Sequence, residues 1–369
     1  GYYTGSDYVD MKYLSVDRLA NANLKWEKTS SWNFGLDFGF LNDRISGSLE
    51  TYFMKTNDMI MSQRLPGFCG FGEVTTNLGE VQNNGFEFSL NTVNISNSDF
   101  EWRTTFGFAY NKNQIKHLYY EYEDVLDENG NVVGRKEQDD TSNKWFIGKP
   151  IGEIWDYKVT GIWQTDEVEE AAKVGQKPGD PKVENYYTAD DKINADGSRT
   201  PVYNDNDKQF LGTTNAPVRW SLRNEFTILK NIDFSFNLYS YMGHKSTNGY
   251  WLNQDNGGSQ VLNGFNMPTK EYWTPDNPTN DYCRLNAVGP NTGLASGVDK
   301  LYNRNFIRLD DITVGYTLPQ RWTKKYMIDK VRVTASVKNV CTISGWEYGD
   351  PETGGLATRT FTFGLNLTL

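Results

Sequence analysis

The 369-residue sequence has no long apolar run, few cysteines and histidines, and no excess of basic residues. A transmembrane helix needs about 18 or more consecutive apolar residues, and the sequence contains no such stretch. The formal charge of -10 excludes nucleic acid as a partner, because nucleic-acid-binding proteins present a basic surface. Cys69, Cys283 and Cys341 are too few and too scattered for a metal site or a disulfide framework, although Cys69 and Cys283 lie in predicted loops and could pair.

The sequence also lacks the residues expected of a catalytic site. His117 and His244 are the two histidines, and neither stands in a pattern that resembles a nucleophilic triad. Acidic residues are abundant, so a glycosidase pair would not stand out, but no catalytic motif is visible. We therefore expect a protein that is not an enzyme.

The sequence does contain stretches of about ten residues that alternate strictly between apolar and polar. In the first of them every second residue is large and apolar, and the residues between are Asn33, Gly35, Asp37 and Gly39. Alternation with period two gives a β-strand one apolar and one polar face. Nine such spans are predicted, at residues 30–41, 44–55, 84–95, 99–112, 217–229, 232–243, 306–318, 330–341 and 359–369.

Short and long connections alternate between these spans. Residues 42–43, 96–98 and 230–231 are short turns and 319–329 is moderate, whereas 56–83, 113–216, 244–305 and 342–358 are long and polar. This pattern predicts a transmembrane antiparallel β-barrel with short periplasmic turns and long extracellular loops. Residues 155–164 also alternate, but a tenth span would break the order of turns. We expect them to form an extracellular strand, in a hairpin above the barrel wall.

Nine spans cannot close a bacterial barrel, which has an even number of strands, and an open sheet edge is not tolerated in lipid. The sequence therefore predicts the C-terminal part of a larger barrel. The alternative is a secreted, soluble β-sandwich that binds glycans and buries the apolar faces in its core.

Several segments resemble TonB-dependent outer-membrane receptors of the SusC/RagA branch. They begin with Asn23–Thr29, followed by Asn33–Asp37, and continue with Asn77–Glu87. Residues 161–164, 210–212 and above all Phe306–Pro319 are similar to the SusC/RagA branch, and Gly364–Leu369 fits a barrel-assembly signal. The resemblance covers nearly the whole chain.

The resemblance implies a 22-stranded barrel in the bacterial outer membrane, of which residues 1–369 are the C-terminal arc. It also implies a plug and a TonB-interacting segment, both absent from this sequence. Residues 113–216 and 244–305 are then large extracellular loops. The implied activity is TonB-energised import of oligosaccharides or peptides, with a SusD-like surface lipoprotein as partner and membrane lipid or lipopolysaccharide around the barrel.

Three groups of residues are candidate sites. Exposed loop aromatics could stack on sugar rings, or they could pack against other loops. An acidic loop could bind Ca²⁺ or Mg²⁺ through clustered oxygens, or it could be a solvated turn. Polar-face charges would line the barrel and pair with one another or with the plug. The aromatics are Tyr250, Trp251, Tyr272, Trp273, Trp346 and Tyr348; the metal ligands are Asp190, Asn194, Asp196, Asp205 and Asp207; the charges are Arg103, Arg219, Arg223, Glu225, Arg332 and Lys338.

Overall fold

A computed structural model of the protein describes residues 2–6, 12–16, 19–64, 73–247, 271–285, 287–290 and 298–368. Nine of its strands form one antiparallel sheet, in which each strand pairs with its neighbours in the sequence. These strands are β1 (Lys28–Phe40), β2 (Ile45–Asn57), β3 (Glu80–Ser96), β4 (Phe100–His117), β5 (Val218–Ile228), β6 (Ile232–Met242), β7 (Phe306–Thr317), β8 (Lys330–Ser344) and β9 (Thr360–Thr368). The nine predicted spans are confirmed.

The largest differences from the predicted bounds lie where β3 meets β4 beside the long connections. There the ladder continues beyond the alternating pattern, with Glu80 opposite His117. This extension combines polar and apolar contacts: buried Glu80 forms an ion pair with Lys55 on β2 at 2.6 Å, and Val81 and Ile115 pack in a buried apolar cluster. Backbone pairing, rather than side-chain alternation, determines where these strands end.

The short turns are built from local hydrogen bonds and left-handed residues. The Asn97 side chain accepts hydrogen bonds from the backbone N–H groups of Asp99 at 3.0 Å and Phe100 at 2.8 Å. Leu41, Asn42 and Asp43 have φ angles of 55°, 56° and 61°, a conformation that Asn and Asp tolerate better than other side chains. These turns fix the register of adjacent strands.

The apolar face of the sheet carries rows of aromatic rings that run across neighbouring strands. Phe88 lies 6.4 Å from Phe38 and 6.3 Å from Phe106, centroid to centroid. This face is exposed, as Phe363 on β9 shows with 80% of its surface accessible. No second sheet covers it among the described residues, so the soluble sandwich alternative is wrong.

One polar side chain on the apolar face is fully provided with partners. Asn224 on β5 is buried, and its Oδ1 accepts hydrogen bonds from Trp102 Nε1 at 2.9 Å and Thr104 Oγ1 at 2.7 Å. Asn94 in turn donates to Thr104 at 2.7 Å. This chain of hydrogen bonds removes most of the cost of a polar group on an apolar surface.

Short sheets and helices lie before β1 and in the connections between the long strands. The paired segments are Tyr2–Ser6 with Lys12–Val16, Ile60–Arg64 with Glu73–Asn77, Tyr122–Leu126 with Val132–Glu137, Glu153–Tyr157 with Lys208–Thr213, Val159–Ile162 with Pro181–Val183, Lys192–Ile193 with Arg199–Thr200, and Lys245–Ser246 with Tyr302–Asn303. The helices are Val168–Lys173 and Gln320–Thr323, with single 3₁₀ turns at Thr165–Glu167, Thr188–Asp190, Asp205–Asp207 and Lys324–Tyr326. None of the helices in the described ranges has the length and apolarity to cross a membrane.

Residues 155–164 lie outside the nine-stranded sheet, as predicted, but the predicted hairpin is wrong. The segment divides into two strands, and each pairs with a different distant segment instead of with the other. The alternating Tyr157 and Trp163 pack into a core with Ala171, Val183 and Val298. Their periodicity therefore reflects burial in a folded loop unit.

Candidate functional site

The polar face of the nine-stranded sheet carries an open cavity of about 670 Å³. Glu50 on β2 and Glu87 on β3 are direct cross-strand neighbours in its wall. Arg219 on β5 lies in the same cross-strand row, beyond Ala109 of β4, with its guanidinium 4.6 Å from the centre of the Tyr241 ring. Among the described residues these three charged side chains make no ion pair. The cavity can therefore receive a polar ligand or protein segment that carries charges of both signs.

Near the short turns, the same face is dominated by ion pairs between its own side chains. Arg223 contacts Glu225 at 3.0 Å, and Arg332 contacts Asp233 at 2.6 Å. Arg103 pairs with Glu101. Arg223 and Glu225 thus pair with each other as predicted, and Arg103 and Arg332 pair with other carboxylates of the same face. Arg219 stacks on a tyrosine. Lys338 lies opposite Asp311 in the ladder between β7 and β8.

The aromatic candidates do not form an exposed stacking surface. Trp273 and Trp346 are buried, so their predicted exposure is wrong. Trp273 packs with Ile162 and Cys283 and donates from Nε1 to Gln164 at 3.0 Å, because it joins two loop segments. Trp346 packs edge-on against Tyr302 and Tyr348. Tyr272 is half-buried, and its role stays a prediction; Tyr250 and Trp251 lie outside the described residues.

The metal candidates have protein partners of their own. Asp207 is fully buried and accepts hydrogen bonds from the backbone N–H groups of Tyr186 and Tyr187, each at 3.0 Å. Asp205 pairs with Lys208 at 2.8 Å. Asp190 accepts hydrogen bonds from the side chains of Asn204 and Asn206, which lower its pKa. These carboxylates are satisfied without a cation.

The other acidic-loop candidates, Asp196 and Asn194, also form hydrogen bonds within the loop. Ser198 donates to Asp196 and lowers the pKa of that carboxyl, while Asn194 donates to Ser198 and Thr200. Over the described ranges, no three His, Cys, Asp or Glu side chains are grouped to hold a metal ion. The five predicted ligands therefore do not fit a Ca²⁺ or Mg²⁺ shell, because their oxygens stabilise the turns that contain them.

Cys283 and His117, which the sequence analysis also considered, contribute to packing and to a turn. Cys283 is fully buried, and burial raises the pKa of its thiol. Its predicted partner Cys69 lies outside the described residues. His117 Nδ1 lies 2.7 Å from a carboxylate oxygen of buried Glu137 and stacks on Tyr120. Glu137 also accepts hydrogen bonds from the backbone of Leu118 and Tyr120, so this pair closes a turn.

Sequence reasoning missed a group of residues on the polar face between β6, β7 and the β8–β9 connection. Arg308 is buried there and contacts Asp350, Glu352 and Tyr239. In the sequence, Arg308 stands out only as a member of Phe306–Pro319, the segment that is similar to the SusC/RagA branch. An arginine at a polar-face position, with Asp350 and Glu352 42 and 44 residues later, was the trace of this group in the sequence.

Comparison with known proteins decides what this sheet belongs to. Residues 2–166 match the family model described as "TonB dependent receptor-like, beta-barrel". The TonB-dependent receptor SusC of Bacteroides thetaiotaomicron is 31% identical over 372 residues, which cover 97% of this chain and 33% of SusC. The chain forms part of a β-barrel of the TonB-dependent receptor type. Its localisation is accordingly the bacterial outer membrane.

Further relatives agree with this TonB-dependent receptor β-barrel. TonB-dependent receptor P3 of Formosa agariphila is 27% identical, over 95% of this chain and 35% of its own length. The structure of the RagAB peptide transporter superposes with a TM-score of 0.70 and 23% identity, over 99% of this chain and 38% of that one. This chain thus spans about a third of the length of the relatives that it matches. These relatives are receptors and transporters rather than enzymes, in agreement with the sequence analysis.

Acidification is expected to weaken the barrel end around His244, which follows β6. Burial lowers the pKa of His244, and the nearby Arg304 and Arg219 lower it further. The unfolded state therefore takes up a proton below about pH 6.5, before the folded state does. Stability that is present above this pH is lost as the pH falls, by up to about 1.4 kcal/mol per pH unit.

Hydrogen exchange at residues 242–246, measured between pH 7.5 and 5 and corrected for intrinsic rates, tests this prediction. We expect local opening to become more favourable at low pH in the wild type and to lose most of this dependence in His244→Gln. An identical pH dependence in both proteins would assign the effect to other groups.

Proposed function

We propose that this chain forms part of the wall of an outer-membrane importer that takes up oligosaccharides or peptides with energy delivered through TonB. We further propose that a SusD-like surface lipoprotein works with it. The observation that carries the proposal is the division of the nine-stranded sheet into an exposed apolar face and a polar face with a charged cavity. A barrel in lipid has an apolar exterior and a polar interior.

The edges of the sheet support a larger, closed barrel. Among the described residues, β1 and β9 each pair on one side only. Unpaired backbone groups in lipid cost several kcal/mol each, so in the membrane both edges need partner strands. In this proposal those strands, the plug and the TonB-interacting segment belong to the complete receptor. In this proposal the connections predicted at residues 113–216 and 244–305 face the outside of the cell. They leave the sheet at the end opposite the short turns, although residues 113–117 still belong to β4.

The residues that line the cavity suit a polar cargo, and they fit both proposed classes, peptides and oligosaccharides. Glu50, Glu87 and Arg219 can bind charged groups such as the termini and side chains of a peptide, and Tyr239 and Tyr241 can stack on sugars. One of the similar structures is a peptide transporter, which makes peptides one arm of the test. Oligosaccharides form the other arm.

Uptake by cells that carry the complete receptor tests the proposal. Fluorescent peptide and oligosaccharide mixtures are supplied to wild-type cells and to strains that lack either the receptor or TonB. We expect one class of cargo to be lost equally in both deletion strains, and a surface lipoprotein to copurify with the receptor. Unchanged uptake of both classes in the receptor deletion would contradict the proposed function.

A further inference from the structure

The first half of the connection between β8 and β9 contacts the polar face of the sheet, whereas residues 353–358 are exposed. We call residues 345–358 of this connection the strap. Trp346, Asp350 and Pro351 are buried within it. Glu352 reaches β6, where it accepts a hydrogen bond from the Tyr239 hydroxyl at 2.7 Å. Tyr239 is on the polar face, in the wall of the cavity. The strap therefore narrows the space inside the barrel at this level.

The Arg308 guanidinium contacts the strap at its centre. Arg308 on β7 donates from Nη1 to Glu352 at 3.0 Å and pairs through Nη2 with Asp350. Its Nε donates to Thr342 Oγ1 on β8 at 3.1 Å, and Nη1 lies 3.2 Å from the Tyr239 hydroxyl. We call Arg308, Asp350, Glu352 and Tyr239 the latch.

The ion pair at the centre of the latch is shielded from water. It is therefore stable only in the arrangement in which the strap contacts the sheet. The side chains of Arg308 and Asp350 are only 8% and 2% exposed. Burial alone raises the pKa of Asp350, but hydrogen bonds from the backbone of Thr353 and Glu352 and the charge of Arg308 bring it below its ordinary value. Asp350 thus stays charged at neutral pH. A desolvated arginine with two carboxylates and a hydroxyl has its donors satisfied only when the strap is in place.

Two further contacts give the strap a fixed shape. Arg304 donates to the carbonyl oxygen of Pro351 at 3.0 Å and lies 5.0 Å from the centre of the Trp346 ring. Asp350 Oδ1 accepts hydrogen bonds from the backbone N–H groups of Glu352 and Thr353, each at 2.9 Å. The turn is therefore held by its own hydrogen bonds as well as by the contact of Glu352 with the wall, which reduces the conformational entropy lost in that contact.

We propose that the strap is a latched constriction of the barrel interior, and that Arg308 is the positioning residue that holds Glu352 over the cavity. Glu352 then faces the same space as Glu50, Glu87 and Arg219, so cargo or protein that enters this space meets the strap. The inference rests on the proposed function only in taking the polar face as the interior of an importer. The position of the strap can be measured without any uptake.

Distance measurements between two spin labels test the constriction. One label is placed on the strap at Thr353→Cys, which is exposed, and the other on the cavity wall at Ser89→Cys. The complete receptor is reconstituted in lipid vesicles, with Cys69 and Cys341 replaced by serine; buried Cys283 is kept. We expect one narrow distance distribution for the wild-type latch.

Variants of the latch should release the strap to different extents. In Arg308→Met the buried Asp350 and the partly exposed Glu352 lose their cation, and we expect the released population to rise by about 100-fold or more. Tyr239→Phe removes only the hydroxyl that contacts Glu352, and should raise it about fivefold, which keeps the test open if Arg308→Met does not assemble. Arg332→Met is the matched control, because Arg332 pairs with Asp233 on the same face near the short turns.

The possible outcomes separate the latch from a passive role. A broad distribution in Arg308→Met with a narrow one in Arg332→Met supports the proposal. A broad distribution already in the wild type, or an unchanged distribution in both Arg308→Met and Tyr239→Phe, overturns it. If the distances behave as expected while neither cargo class is imported, the strap stands and the proposed function fails.

Discussion

Replacement of Asp180 by alanine is expected to unfold the loop unit that joins residues 153–213 to residues 271–285, 287–290 and 298–300. Asp180 is completely buried, and its Oδ1 lies 2.8 Å from Arg284 Nε. It also accepts hydrogen bonds from the backbone N–H groups of Lys177 at 2.8 Å and Val288 at 3.0 Å. Removal of one partner from a buried ion pair costs about 3–5 kcal/mol, because the other charge is left without compensation.

An exposed pair of the same chemistry provides the control. Asp124 lies 3.1 Å from Arg135 in a solvent-exposed hairpin, and surface pairs contribute about 0–1 kcal/mol. Hydrogen exchange and limited proteolysis of the complete receptor should show local opening of the loop unit in Asp180→Ala and hardly any change in Asp124→Ala. Equal effects of the two substitutions would show that burial does not determine the role of Asp180.

An arginine at Leu222 is expected to destabilise the barrel, whereas an arginine at the adjacent Ser221 is not. Leu222 lies on the apolar face of β5, between Phe106 and Leu238 of the neighbouring strands. Ser221 lies on the opposite face and lines the cavity. A lipid-facing arginine near the middle of the bilayer costs about 2–4 kcal/mol, and substitutions that face the interior cost much less.

The free energy of unfolding of the complete receptor in lipid vesicles measures this difference. Both variants add the same side chain to the same strand, so they differ only in the face that carries it. We expect Leu222→Arg to lower the free energy by at least about 2 kcal/mol more than Ser221→Arg. A larger loss for Ser221→Arg would mean that the faces are assigned in reverse.

The long strands could be predicted from sequence because their signal is local. Every second residue of β5 or β9 reports the face on which it lies, and the short turns carry their own signals, such as Asn97. The position of a strand in the sheet then follows from the order of hairpins. Fold and strand count therefore needed no long-range information.

The loop structure could not be predicted in the same way, because its partners are distant in sequence. The alternation at Tyr157 and Trp163 looks the same whether the residues face a hairpin partner or a core shared with Val298. The acidic turn around Asp207 has the composition of a metal loop, but backbone N–H groups occupy its oxygens. The latch joins residues 42 and 44 positions apart, and no local pattern encodes that contact.

The most direct test of the membrane barrel is a spin-label scan along β5 of the complete receptor in lipid vesicles. Single labels from position 218 to 228 are assayed for collisions with oxygen, which concentrates in lipid, and with a water-soluble nickel reagent. We expect accessibility to oxygen to alternate with period two and to be highest at the even-numbered, apolar-face positions such as Leu222. Asn224 is the exception among these positions, because it is buried, and we expect a minimum there. Accessibility without alternation, or oxygen maxima at the odd-numbered positions, would contradict it.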